Sequence, residues 1–87
     1  MKIVVNSEFG GFSLSDAQME LLGVQSAYAY DKFRSDPRLV KSVEEGDTGG
    51  NWAKLRVVEF PLDAFFEINE YDGIETVIWS LSEIHYA

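Results

Sequence analysis

The chain has no cysteine, so neither a disulfide frame nor a thiolate zinc site is available to it. A single histidine, His85, removes every multi-histidine metal centre. No run of about 18 apolar residues occurs, which excludes a membrane-spanning helix. The opening Met1-Lys2-Ile3-Val4-Val5-Asn6 holds too short an apolar stretch for a secretory signal. Most unevenly spread are the bases. Residues 1–56 carry all seven Lys and Arg with eight acids, whereas residues 57–87 carry seven acids and no base. Nearly all of the net charge of −8 therefore belongs to the last third. That balance repels phosphate backbones, so direct binding to nucleic acid is not expected.

What is present argues for a folded chain. At 87 residues, 46% apolar and 14% aromatic, the sequence can fill one small core, and a single domain over 1–87 is expected. Lys2–Asn6 is a β-branched run that reads as a buried strand. Ser15-Asp16-Ala17-Gln18 fits a capping box, with Leu14 and Met19 placed as a hydrophobic staple. A helix over 16–22 follows, stopped by Gly23. Val24–Tyr30 is read as a strand, with Val24, Ser26, Tyr28 and Tyr30 on one face. Asp36 caps a second helix with Pro37 in its first position and Gly46 at its end. Trp52–Phe60 reads as a strand stopped by Pro61. Two further strands, 65–70 and 74–79, flank an Asp72-Gly73 turn of hairpin type. The expected fold is α+β in the order β-α-β-α-β-β-β: a mixed sheet with a C-terminal antiparallel meander and two short helices.

Two places concentrate features that bear on function. In the first, Glu67, Glu70, Asp72 and Glu75 of the hairpin, with Tyr71 among them, form an acidic surface complementary to a basic protein. The plainer reading is a solvated face that keeps a small protein soluble. The second is the loop Glu8-Phe9-Gly10-Gly11, which lies between a strand and a helix start, as anion-binding loops do. With Asn6, Phe9, Gly10 and Gly11 lining it, and Arg34 and Arg38 folded nearby, it would hold a nucleotide-like anion. Against this, Arg34 and Arg38 are equally suited to pairing with the hairpin acids. No Walker or dinucleotide pattern is present.

Catalytic groupings are poorly served. Gly11-Phe12-Ser13-Leu14-Ser15 lacks the second glycine of a hydrolase elbow, and His85 sits where chains commonly fray. Glu67 and Glu75 are placed to face each other across the hairpin, but paired carboxylates need a cleft to act on a sugar. No catalytic residue, metal or cofactor is expected. Among the aromatics, Phe9, Trp52 and Tyr71 fall in loops or turns, where exposure would make them binding anchors.

The opening Asn6…Phe9-Gly10-Gly11-Phe12-Ser13-Leu14-Ser15 resembles that of a family of short, uncharacterised phage and prophage proteins. Further shared steps are Arg34-x-Asp36-Pro37-x-Leu39-Val40, Val58-Glu59-x-Pro61 and Glu70-Tyr71-Asp72-Gly73-x-Glu75. The chain departs from that family at its end, where Ser80–Ala87 lacks the basic, Trp-terminated close. The resemblance carries no catalytic residue. It implies a phage accessory protein in the cytoplasm of a bacterial host, binding and blocking a host or anti-phage defence protein with a basic surface. A phage structural or morphogenesis part is the remaining alternative, and a homo-oligomer is left open.

Overall fold

The computed structural model describes residues 1–82. It contains four strands, β1 (Lys2–Asn6), β2 (Leu55–Glu59), β3 (Phe65–Tyr71) and β4 (Ile74–Ser80), and two helices, α1 (Asp16–Leu22) and α2 (Pro37–Glu44). The α+β class stands. No helix among the described residues is long and apolar enough to cross a membrane.

Both helices begin where the capping residues put them. The Ser15 hydroxyl accepts from the Gln18 amide and the Gln18 side chain accepts from the Ser15 amide, so the capping box is complete. Gln18 is fully buried. Its side-chain amide also donates to the Ser42 hydroxyl and the Asp47 carbonyl, which ties α1 to α2. At α2, the Asp36 carboxylate accepts from the Arg38 amide and Pro37 opens the helix. Leu39, Val40 and Val43 form its buried stripe. They meet Val4, Phe12, Leu14, Leu22 and Leu55 in the larger of two apolar clusters. The smaller cluster joins Ile3, Val5 and Phe60 to Ile68 and Val77 of the hairpin.

The strands form two antiparallel pairs rather than one mixed sheet. β1 pairs with β2, Val4 opposite Val57, and β3 pairs with β4, Ile68 opposite Val77. The strand expected over Val24–Tyr30 does not form. Its place in the chain is taken by turns and a short 3-10 helix, Asp31–Phe33. One edge that such a strand could have used is the second edge of β1. That edge is already satisfied: the Val4 amide donates to the Arg34 carbonyl at 2.8 Å, and the Arg34 guanidinium donates back to the Val4 carbonyl at 2.9 Å. The 52–60 strand is also shorter than expected, because Trp52 sits in a turn and pairing begins at Leu55.

The hairpin turns on Asp72 (φ 50°) and Gly73 (φ 88°), the pair of positive φ angles that a two-residue turn of this hand requires. Glycine is needed at 73 for a further reason. A Cβ there would stand 2.7 Å from the Gly11 Cα, so the hairpin tip rests directly on the diglycine loop.

Candidate functional site

One residue of the acidic hairpin, Glu75, joins Asn6 and Arg34 of the other candidate site in one internal assembly. Arg34 extends from the end of the 3-10 helix beneath the hairpin. Its Nη1 donates to Glu75 Oε1 at 2.9 Å and its Nη2 to Glu75 Oε2 at 2.5 Å, a bidentate pair. The Glu75 Oε1 also accepts from the Asn6 amide at 2.9 Å, and Glu75 is only 5% exposed. Asn6 is fully buried. Its side-chain amide donates to the carbonyls of Glu8 and Gly73, and its carbonyl accepts from the Lys54 amide. The Arg34 guanidinium lies 5.0 Å from the ring centroids of both Phe12 and Tyr30, which stack on each other at 3.9 Å.

Charge and burial oppose each other here. Burial works against the charged guanidinium, but the hydrogen bonds and negative charge of Glu75 outweigh it and hold the Arg34 pKa above its usual value. The Tyr30 phenol is pushed up, first by burial and then by the nearby Glu75 carboxylate. Among the described residues, no buried side-chain nitrogen or oxygen lacks a partner. This network joins β1, the diglycine loop, the 3-10 helix and the hairpin.

Four sequence expectations are corrected by this geometry. Glu75 is not a partner-binding residue, because both of its oxygens are held inside the fold. Asn6 and Arg34 are not free to hold an external anion, since the anion that Arg34 grips is the chain's own Glu75. Glu67 and Glu75 do not face each other, because the register sets Glu70 opposite Glu75 and Glu67 opposite Ile78, on the other face. Counting outward from a two-residue Asp72-Gly73 turn gives this register from sequence alone, and it marks Glu75 as an inward-facing acid. Arg38 is not gathered with Arg34. It pairs with Asp36 at 2.9 Å, reaches the Leu21 carbonyl and borders an open groove between α1 and α2. Gly10 and Gly11 are occupied on one side by the hairpin tip, and a Cβ on Gly10 would meet Trp52 at 2.9 Å. His85 lies outside the described residues.

The remaining expected partner-binding residues stay accessible. Glu70, Tyr71 and Asp72 are exposed and Glu67 is half-buried, although Glu70 also accepts from the Gly73 amide and so steadies the turn. Phe9, Trp52 and Tyr71 are all exposed, as loop anchors would be. Sequence reasoning missed the base of the hairpin. Phe66 and Trp79 pack against Phe60 on the inner face, yet both remain about two-fifths exposed. Phe65 and Ile78 face outward beside Glu67, and Leu62 and Leu81 are exposed at the strand ends. The alternation of these apolar residues with Glu67, Asn69 and Thr76 was the available signal.

Comparison with protein-family models, curated proteins and solved structures finds no match to this chain.

Proposed function

We propose that the protein is a non-enzymatic binding protein that presents the outward surface of its β3–β4 hairpin to a protein of basic surface. The carrying observation is the composition of that surface once Glu75 is subtracted. From Val57 to Ser82 there is no Lys or Arg, and on the outer face of the hairpin Glu67 stands beside the exposed Phe65 and Ile78, with exposed Asp63 just before β3 and exposed Asp72 at the turn. Apolar anchors ringed by charge of one sign are the usual anatomy of a specific interface, the charge steering encounter and the anchors supplying affinity. The latch formed by Asn6, Arg34 and Glu75 holds that surface in place before binding, which lowers the ordering cost. A phage-type accessory role against a bacterial host or defence protein rests on the sequence resemblance.

Affinity capture from a bacterial lysate tests the reading, with the wild-type protein set beside a Glu67→Lys/Asp63→Lys variant. Both positions lie outside the buried network, so circular dichroism of the variant should match wild type. A protein held by the wild type and released by the variant is expected. Equal capture by both would overturn the reading.

A further inference from the structure

Among the described residues, the hairpin also leaves a backbone edge unused. In a two-residue hairpin the residues flanking the turn exchange both hydrogen bonds. Tyr71, Asn69, Glu67 and Phe65 therefore turn their amides toward β4, and Phe66, Ile68 and Glu70 turn theirs away from it. Among the described residues, no hydrogen bond reaches the backbone of those three from outside the hairpin. β4 is the strand that lies toward β1, so the β3 edge is the distal one. An open edge of this length is a template for another strand unless something blocks it.

The geometry points to strand addition: the β3 edge is a docking site for an extended basic segment of the partner protein, with Lys or Arg at two positions three residues apart. This rests on the reading of the hairpin as the partner-binding surface and specifies how the partner engages it. The occupant follows from charge. A second copy laid antiparallel with Ile68 opposite Ile68 would set Glu67 opposite Asn69 and Glu70 opposite Phe66, so neither carboxylate would meet a base, and two hairpins without Lys or Arg would be brought together. A basic segment meets them favourably. Along β3 the outer face reads Phe65, Glu67, Asn69, Tyr71 and the inner face Phe66, Ile68, Glu70. A strand laid beside it needs a base next to Glu67 on one face and next to Glu70 on the other, hence the three-residue spacing. Apolar residues suit the positions beside Phe65, Phe66 and Ile68. Main-chain bonds then supply affinity and the alternating side chains supply specificity.

The probe is the synthetic peptide Val-Arg-Thr-Val-Lys-Ile-Val, written to run antiparallel to β3 and titrated into the whole protein by calorimetry. Its Arg falls beside Glu70 and its Lys beside Glu67. Two methylated versions separate backbone from side-chain docking. Methylating the amides of the central Val and the Ile, which face β3, should weaken binding by about tenfold or more; methylating those of Thr and Lys, which face away, should leave it unchanged. Glu67→Lys should weaken the unmodified peptide to a similar extent. Binding that responds to Glu67→Lys but ignores both methylation patterns would overturn strand addition and leave the acidic-surface reading intact. So would absence of peptide binding while partner capture still depends on Glu67. Partner capture indifferent to Glu67→Lys would instead remove the reading beneath it. A concentration-dependent dimer in sedimentation that peptide cannot compete with would assign the edge to a second copy, and the proposal would fall.

Discussion

Replacing Glu75 by alanine removes the anion from a buried ion pair and leaves Arg34, whose side chain is 14% exposed, without its bidentate partner. Breaking a buried pair from one side typically costs about 3–5 kcal/mol, because the surviving charge cannot be rehydrated. Two features set the effect toward the lower end. Asp31 remains 3.5 Å from the Arg34 Nε, and the rings of Phe12 and Tyr30 still flank the guanidinium. The Asn6 amide is left unsatisfied as well, which adds cost. A loss of about 3 kcal/mol is a large share of the roughly 4–13 kcal/mol expected for a domain of this size. It should lower the thermal midpoint by roughly 12–24 °C. Urea unfolding followed by circular dichroism measures it directly. Pairing Glu75→Leu with Arg34→Met should restore much of the loss, since an apolar pair can replace a buried salt bridge at little cost. A Glu75→Ala protein within about 0.5 kcal/mol of wild type, the range of an ordinary surface substitution, would refute the reasoning.

Gly73→Ala should cost roughly 1–3 kcal/mol, from both the positive φ and the collision with Gly11. Gly23→Ala, at φ 71° but with open space around the added carbon, should cost less, and urea midpoints of the two variants decide the order. Asp36 has its pKa lowered by the hydrogen bonds from Arg38, so its contribution is present above the ordinary carboxylate range and is lost as pH falls through the depressed value. Asp36→Asn keeps a capping oxygen but cannot titrate; its stability should fall less steeply than wild type in an acid series of thermal melts. Tyr30 has its pKa raised, so its contribution is present below the ordinary phenol value near 10.0 and is lost as pH rises past it. Tyr30→Phe should flatten the alkaline decline in thermal midpoint.

Local rules carried most of the secondary structure. The capping box at Ser15, the Asp36-Pro37 helix start and the Asp72-Gly73 turn each depend on a few neighbouring residues, and each appears where those residues stand. The failure over Val24–Tyr30 has a different origin. Its alternation fits a strand, and Val24 and Tyr30 do pack on the core, but the β1 edge that such a strand could have joined is held by Arg34. A strand needs a free neighbour, and that is decided by tertiary contacts. The same distance in sequence hid the site. Asn6, Arg34 and Glu75 meet from three separate elements, and composition alone could not tell the one buried acid of the hairpin from its exposed neighbours. Hairpin register narrows the choice to Glu70 and Glu75, because each residue counted from the turn switches face, and the contact with Arg34 decides between them.

The most direct test is amide hydrogen exchange on the hairpin, measured for the free protein and for its complex with the captured partner. The account predicts that the amides of Phe66, Ile68 and Glu70 exchange quickly in the free protein and slow sharply in the complex, while those of Phe65, Glu67 and Asn69 are slow in both. Protection gained instead along the α1–α2 groove, with the β3 edge unchanged, would contradict it.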